Sequence, residues 1–311
     1  MINFIQLKGK GTCSSTYTKV VQKFIDPIIK HLDEKDYIIS DKTQENMVNI
    51  IFFKENHVLN NIEFKSNKGI NVFMSHGIAD KLWREYSTVK HFDYICVSGE
   101  AWKNKYLNQG CDINKILVNG YTRLDELYNQ KENYVKKYTD KRTILFAPTH
   151  TGCVTINNKL NDLKARLSKD YNIIVSNHPH DKENKQTTNT EYLEADVVVA
   201  DFGSSIYESW ALDKPVVFAN WIYGKSCYPN TTIKDIATKI FKGSFENYIY
   251  INQIGYHAKN ENDFINQINL AMTNGITKQE IDFVDKIFTK ELRGNSGKVT
   301  AEMLLKIKIK N

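Results

Sequence analysis

The sequence predicts an α/β protein built as two parallel-sheet halves, and three observations carry this. Short apolar runs alternate with helix-patterned segments along most of the chain, the arrangement that produces parallel sheets. The length, 311 residues, suits two domains of about 150 each. The stretch Ala195–Ala219 reads as a complete strand, polar turn, helix and strand.

Strand Ile2–Leu7 opens the chain and runs into the basic loop Lys8–Thr16, which holds Gly9 and Gly11. A helix follows from about Thr16 to Leu32, with Val20, Val21, Phe24, Ile25, Ile28 and Ile29 at helical spacing. Further strands are expected at Tyr37–Ser40, Asn49–Phe53, Ile70–Met74, Tyr94–Val97 and Ile116–Val118, with helices at Ala101–Asn108 and Thr122–Leu127. The charged stretch Asn129–Arg142 reads as a linker. A second alternation begins at strand Thr143–Phe146. It continues through helix Asn157–Lys169, strand Tyr171–Ser176, the polar loop Lys182–Thr190, strand Val197–Ala200, a helix from near Ser204 to Leu212–Asp213, and strand Val216–Ala219. Beyond it, Ile233–Gly243 reads as helical and Tyr248–Ile251 as a strand. Helices follow at Glu261–Asn274, Thr277–Lys290 and Gly297–Lys308. The expected domains are 1–135 and 140–290, with 291–311 forming a C-terminal crossover helix that packs back on the first domain.

Composition narrows the class. A hydrophobic content of 41% and a charged content of 25% are ordinary for a globular protein. There is no run of 18 apolar residues to span a membrane. The start, Ile2-Asn3-Phe4-Ile5-Gln6-Leu7, is a strand pattern without the apolar core of a signal peptide, so a cytoplasmic location is expected. The five cysteines, Cys13, Cys96, Cys111, Cys153 and Cys227, are scattered without a C-x-x-C pair, which argues for a reducing compartment and against structural zinc. The net charge of +6 suits an anionic donor or acceptor. The abundance of Lys, Asn and Ile is consistent with a phage or an AT-rich bacterial source.

Ligands of open parallel sheets collect at the carboxyl ends of the strands. The residues just after each strand are therefore the candidates. The turn Gly203-Ser204-Ser205 at a helix start could hold a phosphate through backbone N–H groups and two hydroxyls, with Glu208 one turn further on to take two ribose hydroxyls. The rival reading is an ordinary βαβ unit with a serine helix cap. Strand ends also carry Ser75-His76-Gly77, Gly120-Tyr121-Thr122-Arg123, Pro148-Thr149-His150 and Asn177-His178-Pro179. Three of the eight histidines, His76, His150 and His178, thus fall at one edge, where imidazole can take a proton near neutral pH or face a phosphate as a cation. Lys8, Lys10 and Ser14, in the first loop, are acceptor-side candidates. That loop lacks both the P-loop and the dinucleotide glycine spacing. The histidine spacings are wide and no D-x-D follows a strand, so no metal and no cofactor are expected. No G-x-S-x-G elbow suggests a serine hydrolase.

These motifs, in this order, resemble the CDP-glycerol glycerophosphotransferase family, enzymes of teichoic-acid and capsule synthesis with a GT-B fold. Ser75-His76-Gly77-Ile78-Ala79-Asp80-Lys81 resembles its HG-x-x-x-K segment. Gly120–Asp125 resembles G-x-P-R-x-D, with Thr122 in place of proline. Ile144–Thr149 resembles its A-P-T strand end and His178-Pro179 its H-P. Asp201-Phe202-Gly203-Ser204 resembles D-Y-S-S, with Gly203 replacing a serine, and Glu208 stands where the family has an acid. Arg293–Lys298 loosely resembles its terminal D-G-x-x-x.

The resemblance implies two Rossmann-like parallel-sheet domains facing a cleft. It implies metal-independent transfer of a glycosyl or glycerophosphate group from a nucleotide-diphosphate donor, CDP-linked by preference, to an acceptor hydroxyl. His76 would be the general base, and His178 would sit against the donor phosphates. Ser204, Ser205 and Gly203 would cradle the pyrophosphate, Glu208 would bind ribose, and Thr149, His150 and Arg123 would assist. The acceptor would be a polyanion: a teichoic-acid or capsule polymer, or modified DNA. Asp201–Glu208 also resembles the ribose/phosphate site of nucleotide-sugar GT-B enzymes and UDP-sugar 2-epimerases, which leaves two alternatives: a phage-type DNA glycosyltransferase acting on hydroxymethylated bases with a nucleotide-sugar donor, compatible with the basic balance, and a UDP-sugar 2-epimerase-like enzyme. The latter needs carboxylates at the first-domain edge, for which Glu100 and Asp125 are the candidates. A non-catalytic nucleic-acid binder would need clustered basic residues, and the lysines here are spread out.

Overall fold

The computed structural model describes residues 1–6, 12–54, 59–60, 62–64, 69–81, 86–149, 160–176, 190–224 and 228–308, the side chains of 12–17 excepted. The chain forms two compact units. One comprises Met1–Gly77, Arg84–Asn129 and Asp285–Asn311; the other comprises Ile78–Trp83 and Gln130–Val284.

The first unit holds a six-stranded sheet. Its strands are β1 (Ile2–Ile5), β2 (Tyr37–Ser40), β3 (Val48–Ile51), β4 (Ile70–Met74), β5 (Tyr94–Val97) and β6 (Ile116–Val118), in the order β2-β1-β3-β4-β5-β6. Each pairing is parallel. β1 and β3 are buried at every position, as strands covered on both faces by helices must be. Within this apolar sheet, Asn3, Asn49 and Asn71 stand in register on β1, β3 and β4, all fully buried. Asn3 donates to Asn49 (3.0 Å) and Asn49 to Asn71 (3.3 Å). Such a ladder leaves unmatched amides if any strand slips, so it selects the register.

The second unit holds β7 (Thr143–Phe146), β8 (Asn172–Val175), β9 (Val197–Ala200), β10 (Val216–Ala219) and β11 (Tyr256–Ala258), in the order β8-β7-β9-β10-β11, again all parallel. The two sheets share one plan: the second strand lies outside the first, and the third returns to the first strand's other side. Each therefore has a topological switch point, at β1/β3 and at β7/β9, where the strand ends open a crevice. The helices Glu261–Asn274 and Ser205–Ala211 pack on the second sheet. Its core includes Trp210, Phe218, Tyr250 and Phe264.

The C-terminal helix, Ser296–Leu305, belongs to the first unit and packs on helix Thr12–Ile29, as expected. The helices expected at Ala101–Asn108 and Glu261–Asn274 are found at Glu100–Asn108 and Glu261–Asn274.

One expected strand is a helix. Tyr248–Ile251, rich in aromatic and β-branched side chains, lies within helix Phe245–Asn252. Ser244 caps that helix, its Oγ accepting the Asn247 N–H (2.9 Å). Ile249 and Tyr250 are buried while Tyr248 and Ile251 are more than half exposed, an adjacent-pair pattern that a strand's alternation does not give. The edge strand comes later, as β11. No helix among the described residues is long and apolar enough to cross a membrane.

Candidate functional site

The segments that leave the carboxyl ends of β7 and β9 build the switch point of the second sheet. Asp201, the first residue after β9, is fully buried. Its Oδ1 accepts N–H groups from Thr149 (2.9 Å) and Phe202 (2.6 Å), which ties the two strand ends together. Among the described residues its Oδ2 has no hydrogen-bond partner. Burial pushes the Asp201 carboxyl above the usual carboxylate range, and the Lys81 charge and these N–H groups pull it back. Ser205 Oγ donates to the Ala147 carbonyl (2.9 Å), a second tie across the same two ends.

A short segment, Ile78–Lys81, runs over this edge. Ile78 N–H donates to Ser204 Oγ (3.0 Å), and Lys81 Nζ donates to Thr149 Oγ1 (2.8 Å). The segment is held from below by Glu246, in the first turn of helix Phe245–Asn252. Its two carboxylate oxygens accept the N–H groups of Asp80 and Lys81, each at 2.9 Å, and Oε1 also accepts the Tyr207 hydroxyl (2.7 Å). Asp80 Oδ2 in return accepts the Phe245 N–H (2.9 Å). Asp80 and Glu246 are both fully buried. Burial, and then the Asp80 charge, raise the Glu246 carboxyl above its usual range.

Both serines of the turn at 203–205 are engaged in hydrogen bonds. Ser204 stands at the helix-cap position but has helical backbone angles and makes no side-chain cap bond; its hydroxyl accepts the Ile78 N–H. Ser205 is nearly enclosed and donates its hydroxyl hydrogen to the Ala147 carbonyl, so it meets a ligand only by giving up that bond. The helix behind the turn, Ser205–Ala211, has seven residues, under two turns, and so offers little dipole. Gly203 is half-buried, and a Cβ there would press on Ser205 Oγ at 3.3 Å. Glu208 is 1% exposed and its Oε2 accepts the Tyr192 hydroxyl (3.0 Å).

In the first unit, His76 comes after β4 and is half-buried. Its Nδ1 lies 2.8 Å from the Phe52 carbonyl, and its ring packs on Phe53 with centroids 4.5 Å apart. A carbonyl can only accept, so Nδ1 carries a proton, and in the neutral ring the lone pair is on Nε2. Ser75 Oγ donates to the Gly77 carbonyl (2.9 Å), fixing the turn around the ring.

Arg123 lies elsewhere in that unit, half-buried in the 3₁₀ turn Thr122–Leu124. The residues around it dock the C-terminal helix. Tyr121 N–H donates to Ser296 Oγ (3.1 Å), Asn119 Nδ2 to Thr300 Oγ1 (2.9 Å), and Gly297 N–H to Asp125 Oδ2 (2.6 Å). The motifs at 120–125 and 293–298 thus form one structural joint. His150, His178, Lys8 and Lys10 lie outside the described residues, as does the Ser14 side chain. Sequence reasoning gave Lys81 no role and missed Glu246 and Tyr192. Lys81 was legible as the last residue of the H-G-x-x-x-K segment, whereas nothing local marks Glu246. Among the described residues, no group of three His, Cys, Asp or Glu is placed to hold a metal ion.

Comparison with known proteins agrees with this architecture. The family model for CDP-glycerol:poly(glycerophosphate) glycerophosphotransferase matches residues 64–225, just over half the chain. Among solved structures, the wall teichoic acid polymerase TagF superposes with a TM-score of 0.65 at 15% identity, covering 98% of this chain and 88% of that one. A CDPG-soaked variant of TagF gives 0.62 at 15% identity over the same shares of the two chains. The S. aureus MnaA–UDP co-structure gives 0.55 at 10% identity, covering 98% and 95%. A search of curated proteins by sequence found no match. The chain is a transferase of GT-B fold, with two Rossmann-like parallel-sheet domains, and it belongs to the CDP-glycerol:poly(glycerophosphate) glycerophosphotransferase family.

Proposed function

We propose that this protein transfers glycerophosphate from a CDP-linked donor to a hydroxyl of a polyanionic acceptor in the cytoplasm, with His76 as the general base. The observation that carries this reading is the His76 ring. Its Nδ1 donates to the Phe52 carbonyl at a strand carboxyl end, so in the neutral ring the lone pair a base needs is on Nε2. In the reaction the acceptor oxygen attacks the phosphorus that bears glycerol. The hydroxyl proton passes to His76 Nε2, the bond from that phosphorus to the bridging oxygen breaks, and CMP leaves with the electron pair.

The donor seat is the β7/β9 edge, with Thr149, Gly203 and Ser204 along it, and His178 and His150 supply further phosphate contacts. Glu208 takes the ribose hydroxyls by exchanging its bond from Tyr192, one hydrogen bond replacing another at little net change. Arg123, in the turn beside the joint with the C-terminal helix, is a further donor-side candidate.

His76→Ala should lower the rate of CMP release from CDP-glycerol by at least about 10²-fold while leaving donor affinity within a few fold. Turnover near that of the unaltered protein would remove the base assignment.

A further inference from the structure

We propose that Lys81 is the residue that grips the donor's diphosphate, and that buried Glu246 positions it. The inference rests on the donor-seat reading above and names the charge that seat uses. The turn's own resources are limited: of its two hydroxyls Ser205 Oγ already donates to the Ala147 carbonyl, neither carries charge, and the helix behind them is short. Lys81 brings a full positive charge to the same edge, its Nζ 2.8 Å from Thr149 Oγ1 on the β7 end.

The way Lys81 is held is unusual for a surface lysine. Its φ is +42°, in the left-handed region that a side chain with a Cβ rarely adopts. Such strain persists only where the surroundings over-determine it. Here they do: Glu246 accepts two consecutive N–H groups, Asp80 answers with the Phe245 N–H, and Ile78 is tied to Ser204. A buried carboxylate engaged with three donors is an expensive way to fix a loop. It makes sense where the side chain leaving that loop must stand in one place. An ammonium on a fixed backbone is a point charge suited to phosphate oxygens. The competing account is that Lys81 serves only to balance buried Asp201.

The experiment compares nucleoside diphosphate with monophosphate. Calorimetry would measure CDP and CMP binding to the unaltered protein and to Lys81→Met, Lys81→Arg and Glu246→Gln, with UDP, ADP and GDP and their monophosphates in parallel. Lys81→Met should weaken CDP by about 10- to 100-fold and CMP by less than about 3-fold, and Lys81→Arg should recover most of the difference. Glu246→Gln should erode the same CDP-over-CMP preference, and adding it to Lys81→Met should change that preference no further. A Lys81→Met variant that melts normally and binds CDP as before, or loses CDP and CMP equally, overturns the inference and leaves the donor-seat reading standing. If the unaltered protein prefers another diphosphate, only the choice of base falls, and the Lys81 comparison is read on that pair. If it binds none of the four, the seat and the inference fall together.

Discussion

At the scale of single residues, burial decides what a side chain can do. Glu208 has the right chemistry for ribose, yet it is enclosed and bonded to Tyr192. Two variants separate its possible jobs. If Glu208 binds ribose, Glu208→Ala should weaken CDP-glycerol binding by about 10-fold or more, and Tyr192→Phe, which removes the competing donor, should not weaken it. Equal losses in both would mean that Glu208 only holds Tyr192.

His257 provides a second residue-scale prediction. It is buried against Phe218, centroids 4.4 Å apart, with Nε2 3.0 Å from the Ile254 carbonyl and Nδ1 3.2 Å from the Asn220 side chain. Burial is the main cause that pushes its pKa down to about 4, from 6.5. The folded protein then binds fewer protons than the unfolded chain between these values. This contribution, up to about 3 kcal/mol, is full above pH 6.5 and lost as pH falls through about 4. Asp125, Asp201, Glu246 and Glu280, all raised by burial, act in the opposite sense: their contribution is full at low pH and fades as pH rises through their raised values. Urea unfolding of the unaltered protein and His257→Asn between pH 7.5 and 4.5 cancels the carboxylates in the difference. The stability gap should narrow as pH falls, and a constant gap would refute the assignment.

At the scale of elements, the C-terminal helix depends on a cap supplied from far away in sequence. Asp125 Oδ2 accepts the Gly297 N–H in the helix's first turn, and Gly297 lies so close to the Pro27 carbonyl that a Cβ would run into it. Asp125→Ala should destabilise the first unit by about 1–2 kcal/mol, the value of a helix cap. Gly297→Ala should do more harm, because the two helices must move apart. Limited proteolysis would read both as faster loss of the C-terminal segment. If the Asp125→Ala helix proves as resistant as before, the cap is not what holds it. Asp125 and the Tyr121 N–H in the Gly120–Asp125 motif therefore also serve assembly of this unit.

At the scale of the whole molecule, the two sheets repeat one strand order, and His76 and Thr149, from the motifs resembling the family's, follow strand ends in the two units. A true donor should stabilise the folded chain by mass action. In a thermal-shift panel of CDP-glycerol, CDP-sugars and UDP-sugars, CDP-glycerol should raise Tm by several degrees at saturating concentration. A shift with UDP-sugars alone would favour epimerase-like or sugar-transfer chemistry.

The alternation of apolar runs and helix-patterned segments determined most of the sheet strands, because strands buried on both faces must be written as continuous apolar stretches. The strand-end motifs likewise determined that His76, Thr149 and Ser204 stand at carboxyl edges, since a parallel βα unit leaves its polar turn there. Only the tertiary structure decided which groups remain for a ligand. The Tyr248–Ile251 run has the composition of a strand, and the Ser244 cap makes it a helix. Ser205 has the chemistry of a phosphate ligand, and only the folded chain shows its hydroxyl engaged with the Ala147 carbonyl. Glu246, more than 160 residues from Lys81, has no local mark at all. Those outcomes rest on hydrogen bonds between distant segments, each made because a buried polar group must find a partner, and that pairing exists only once the chain has folded.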